Sequence, residues 1–136
     1  MTLVAPSTTP PSPRSQILYP LSVARLGGLG VWQDKFVSLD RFQGYVVEID
    51  PHSENVRILN QQQVDIFRDS NGLTVQEDTL WFTKGTRVYA CDLKTWEITY
   101  VAEVRDRAEG IAISGNTLYV SNSRLGLIFV VSAANG

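Results

Sequence analysis

The chain has 136 residues, enough for one domain with a core of its own. Apolar residues make up 43% and charged residues 19%, the balance of a soluble globular protein, and the formal net charge is −2. That charge gives no support to a nucleic-acid or anionic-membrane surface, both of which need clustered positive charge. A single Cys and a single His exclude a structural zinc site, which takes about four such ligands.

No apolar run approaches the roughly 20 residues of a membrane span. Cys91 has no intramolecular disulfide partner, and the N-terminus lacks the basic start and apolar run of a secretory signal. With Met1 as the true start, the expected location is the cytoplasm.

Residues 1–15 carry Pro6, Pro10, Pro11 and Pro13 among Ser and Thr. Such a composition buries too little area to offset the entropy of ordering, so a disordered or extended leader is expected. Residues 16–27 form a lead-in. Pro20 keeps a central strand or an unbroken helix out of it and leaves room for one short edge strand, at Gln16–Tyr19 or Ser22–Leu26.

From Gly28 the chain repeats itself. Gly28–Leu39, Gly72–Thr83 and Gly110–Ser121 align without a gap. Each has a Gly, alternating apolar residues, an Asp or Asn turn and a second apolar run. That is a β-hairpin written three times. In the first unit, strands are expected at 29–33, 35–39, 45–49 and 56–59, with a turn at Asp50–Asn55. The second unit repeats the order at 73–76, 79–83, 86–91 and about 97–104, and the third at 111–114, 117–121 and 127–131. The third unit has no fourth strand.

From Gly28 to Gly72 is 44 residues and from Gly72 to Gly110 is 38. Periods of about 40 residues with four strands each belong to β-propeller blades. Leu80-Trp81-Phe82 and Ile128-Phe129-Val130-Val131 are continuously apolar, as sheets covered on both faces require. The expected fold is therefore all-β: propeller-type, four-stranded antiparallel blades at 28–71, 72–109 and 110–136, about two and three-quarter blades in all. Because propellers usually have four to eight blades, either this chain is part of a longer product or several copies close a ring.

The pattern Gly-Leu/Ile-x-Val/Ile, turn, Thr-Leu-aromatic-x-Thr/Ser resembles blades of the NHL, YVTN and gluconolactonase-like propellers, most fully in Glu109–Ser123. In such propellers the loop into each innermost strand and the loop after each second strand open on one rim. The alignment places Asp69, Asn71, Arg107 and Glu109 in the first kind of loop. It places Asp40, Arg41, Lys84, Asn122, Ser123 and Arg124 in the second. The resemblance to gluconolactonase-like propellers implies a divalent cation such as Ca²⁺. Asn71 matches its pre-Gly Asn, Asn122 replaces its acidic residue after the second strand, and Glu109 holds the pre-Gly position of its own blade. Lys84 at the acidic position departs from that pattern, and Asp or Asn before Gly is also ordinary turn chemistry. His52 reads as a solvated turn residue and Cys91 as a small core residue. Trp96, at an outer turn, reads as a candidate partner contact.

The expected function is a non-catalytic binding or scaffold module. Its partner is a protein or further blades, from this chain or another, with no nucleic acid, no membrane and no obligatory cofactor. The alternative is a fragment of a metal-dependent propeller hydrolase or lyase acting on a lactone or sugar-like substrate.

Overall fold

The structure, a computed structural model, describes residues 26–133. The leader 1–15, residues 16–25 with the candidate edge strands, and Ala134–Gly136 lie outside the described residues.

Eleven strands form three antiparallel sheets. The first blade contains β1 (Leu26–Trp32), β2 (Lys35–Asp40), β3 (Tyr45–Ile49) and β4 (Val56–Ile58). The second contains β5 (Ser70–Gln76), β6 (Thr79–Lys84), β7 (Arg87–Asp92) and β8 (Ile98–Glu103). The third contains β9 (Ile111–Ser114), β10 (Thr117–Asn122) and β11 (Leu127–Ser132). Strands pair in chain order within each sheet, and β11 is the edge of the third among the described residues.

The turns explain why one hairpin recurs. Each first pair of strands closes over two residues, Gln33-Asp34, Glu77-Asp78 and Gly115-Asn116. The first of the two has positive φ in every case: 54° at Gln33, 55° at Glu77 and 60° at Gly115. Two-residue loops of this hand match the right-handed twist of the strands they join. The turns after the third strands of the first two blades are capped by Asp50 and Asp92. Asp50 accepts from the amides of His52 and Ser53, and Asp92 from those of Lys94 and Thr95.

Two inner strands start earlier than the repeat alone indicates. β1 begins at Leu26, within the expected lead-in, and β5 at Ser70, each with a register break around its opening glycines. Those glycines let the inner strands pack closely. A Cβ on Gly72 would lie 2.7 Å from the Glu109 carbonyl oxygen, and one on Gly28, whose φ is +76°, would lie 2.8 Å from the Leu73 amide nitrogen. No side chain fits either gap.

Two cores lie between the blades. Val37, Leu39 and Val46 of the first blade meet Leu73, Leu80, Phe82 and Cys91 of the second. The opposite side of the second blade, with Trp81 and Val88, meets Leu118 and Val120 of the third. Each blade therefore has a forward face toward the next and a backward face toward the one before. Burying each large apolar side chain contributes about 1.5–3 kcal/mol, which favours stacked sheets over separate ones.

A 3-10 turn at Asp65–Phe67, which no periodicity in the sequence marks, drops Phe67 fully buried into the first core. Its ring lies 4.7 Å from that of Phe82 and 6.4 Å, edge-on, from Trp96. Trp96 thus packs partly inward against the core instead of standing free at the surface. Cys91 is buried in the same core, and burial pushes its thiol up to about 12. His52 is exposed.

Candidate functional site

The residues assigned to the rim gather along one edge of the blade array, and hydrogen bonds connect them across both blade boundaries. Several sit at strand ends instead of in free loops. Asp40, Lys84 and Asn122 are the last residues of β2, β6 and β10, and Asn71 falls inside β5 at its register break.

Between the first and second blades, the Arg41 Nε donates to the Ser70 carbonyl at 2.6 Å, and the Asp69 amide donates to the Arg41 carbonyl at 2.9 Å. Asp69 itself has φ of 62°, which directs the chain into β5. Asp40 is fully buried and caps the loop after β2: its carboxylate accepts from the amides of Phe42 and Gln43 and from Gln43 Nε2. Lys84 stands apart from this junction, its Nζ 3.2 Å from the Asp65 carbonyl.

The second junction is denser. Asn71 Nδ2 donates to the Ala108 carbonyl at 2.8 Å, while Asn71 Oδ1 accepts from the Arg107 guanidinium at 2.7 Å. Thr83 Oγ1 donates to the Glu109 carbonyl at 2.7 Å and accepts from the Gly72 amide at 3.0 Å. Asn122 Nδ2 donates to the Arg107 carbonyl at 2.8 Å, and its Oδ1 accepts from the Leu125 amide at 2.7 Å. The Glu109 carboxylate accepts from the Ser123 amide and hydroxyl, both at 3.1 Å, with Arg107 Nε 3.8 Å away. Arg124 pairs with Asp106, and that guanidinium holds the Asp106 carboxyl below its ordinary value.

This arrangement does not fit a divalent cation at Asn71, Glu109 and Asn122. The Oδ1 atoms of both Asn residues face protein donors, and the Arg107 cation sits between Asn71 and Glu109. A Ca²⁺ ion wants about six to eight oxygens, several of them carboxylate. Among the described residues no three His, Cys, Asp or Glu side chains group together to hold a metal. Asn122 bonds its own turn through the Leu125 amide, whereas Asn71, inside β5, bonds across the blade boundary to the Ala108 carbonyl and the Arg107 guanidinium.

Sequence reasoning missed Thr83 and Ser121. They occupy matching positions in the second and third repeats, and both hydroxyls bond the backbone at an opening glycine. The recurring Thr or Ser at the end of these two aligned units was the available signal.

No family model matches the chain, and no curated protein does. Solved structures do. A luciferin-regenerating enzyme superposes with a TM-score of 0.57 at 20% identity, over 77% of this chain and 39% of that one. A chain of an S. cerevisiae complex of dbp5 with nup159, gle1, ip6 and adp superposes with a TM-score of 0.59 at 15% identity, over 82% of this chain and 32% of that one. The fold is that of stacked propeller blades. At these identities the likeness concerns fold alone, and the chain spans well under half the length of either match. Among the described residues no helix is long and apolar enough to cross a membrane.

Proposed function

We propose that the chain is a non-catalytic binding module: a run of NHL-, YVTN- or gluconolactonase-like blades that works as part of a larger propeller. The observation that carries this reading is the forward face of the third blade. Tyr119, Ile128 and Val130 are 40%, 62% and 67% exposed there. Register sets Tyr119 opposite both Ala112 and Val130, so these residues form one continuous apolar surface. The equivalent faces of the first and second blades, through Val37, Leu39 and Val46 and through Trp81 and Val88, are buried under the next blade. The partner we assign to this surface is another blade-like sheet, from a further part of the same protein or from another chain.

The rim network supports binding over catalysis. Asn71, Asn122 and Arg107 are engaged in holding neighbouring blades together, and the Arg107 guanidinium bonds Asn71 Oδ1, one of the oxygens a metal would need. The cytoplasm is the setting we propose, in keeping with one buried thiol.

Sedimentation velocity over a concentration series tests the reading. The chain is expected to self-associate or to capture added blade-containing protein, and Ile128→Lys with Val130→Glu is expected to abolish both while leaving the unfolding midpoint in place. A monomer at every concentration that also ignores added blades would overturn it.

A further inference from the structure

Leu29 and Val31 of β1 point to the backward side of the first blade, where they are 63% and 59% exposed. The repeat aligns Leu29 with Leu73 and Ile111, and Val31 with Val75 and Ile113. Leu73 is buried in the first core with Val75 packed against it, and Ile111 and Ile113 pack against the second. The forward side shows the same contrast. Register and repeat together align exposed Ile128 with Val46 and Val88, both fully buried, and exposed Tyr119 with buried Val37 and Trp81. These positions are covered at the interior junctions and open only at the two ends of the described array.

The interior junctions also show how two such surfaces meet. Neighbouring blades touch mainly through their inner strands, β1 on β5 and β5 on β9. At the first junction Leu73 and Val75 rest on Gly30, where an added Cβ would lie 2.9 Å from a methyl of each. In the third blade the position of Gly30 is held by Ala112, which is small and exposed. Register sets Ala112 beside Tyr119, so it belongs to the same apolar surface as Val130. We propose that a second copy of this chain covers that surface, with Leu29 and Val31 of its first blade packed on Ala112, Tyr119 and Ile128. The contact repeats the one that Leu73 and Val75 make with Gly30. It rests on the blade-binding role of the forward face and names the partner of that face.

Sedimentation velocity on complementary variants tests it. Ile128→Lys with Val130→Glu removes the forward surface, and Leu29→Lys with Val31→Glu removes the backward one. Each variant alone is expected to stay monomeric. Their equimolar mixture is expected to form a species of twice the monomer mass and none larger, through the one intact pair of faces. A second measurement keeps the test decisive if the charged variants fail to fold. Under mild oxidation, Val31→Cys mixed with Ala112→Cys is expected to give the mixed disulfide about tenfold faster than either variant couples to itself, because docking raises the effective concentration of the two thiols. Self-association that survives loss of Leu29 and Val31 but not loss of Ile128 and Val130 would overturn this partner while leaving the forward face a binding surface. Self-association indifferent to both pairs of substitutions would overturn the partner and the binding role together. A monomeric mixture with no preference for the mixed disulfide would overturn the proposal.

Discussion

Among single side chains, the turn carboxylates couple the fold to pH. Backbone amides at the capped turns hold Asp50 and Asp92 below their ordinary value of 3.8, and Arg124 does the same for Asp106. A carboxyl whose folded pKa is depressed adds stability that is present above the unfolded pKa and lost as pH falls through the folded one. Urea midpoints are therefore expected to hold steady down to about pH 4 and to fall below it, with a shallower fall in Asp92→Ala; identical acid slopes in both proteins would contradict this. The rim makes a second prediction. With Asn71 and Asn122 bonded to protein donors, calorimetric titration with Ca²⁺ is expected to show no saturable heat, and saturable heat lost in Asn71→Ala would reverse the fit drawn from the geometry.

Among strands and turns, the hairpins and most of their turns were legible, and the connection from the first blade to the second was not. Gly28 and Gly72 recur because inner strands of neighbouring blades pack too closely there for a side chain, whereas a Cβ on Gly110 would meet the Ser121 hydroxyl of its own blade; the turn residues between the strands fix which strands pair. Asp65–Phe67 escaped notice because one 3-10 turn has no period to detect, and the burial of Phe67 depends on partners far along the chain. The register break between Ser70 and Gly72 was hidden for the same reason, which is why Asn71 read as a loop residue. Two substitutions measure these contributions. Gly72→Ala must displace the backbone at Glu109 and is expected to cost about 1–3 kcal/mol, as overpacking does. Phe67→Ala is expected to cost about 3–5 kcal/mol by opening a cavity against Phe82. Chemical denaturation checks both, and a loss under about 0.5 kcal/mol, the range of ordinary surface changes, would count against the packing described.

Across the three blades, stability is divided between two separate cores instead of one. Leu118 and Val120 belong to the second core, Val37 and Leu39 to the first, and no buried residue is shared. Stacked units of this kind open locally from an end. Leu118→Ala is therefore expected to raise amide exchange throughout β9–β11 while leaving β2 and β3 protected; a uniform rise across all three blades would show a single cooperative unit instead. Fold class was readable at this level because the repeat supplied three independent copies of one pattern. Function was less readable, since the same rim residues that line a propeller mouth also serve as its mortar, and only the partner of each side chain separates those roles.

The two sides of the middle blade are unlike, Trp81 and Val88 on one and Leu80 and Phe82 on the other. Contact that repeats this arrangement is head-to-tail, the forward side of one blade against the backward side of the next. An assembly built by repeating it from the third blade either curves back to its own start or runs on as a filament. Which of the two occurs is set by the small rotation from one blade to the next.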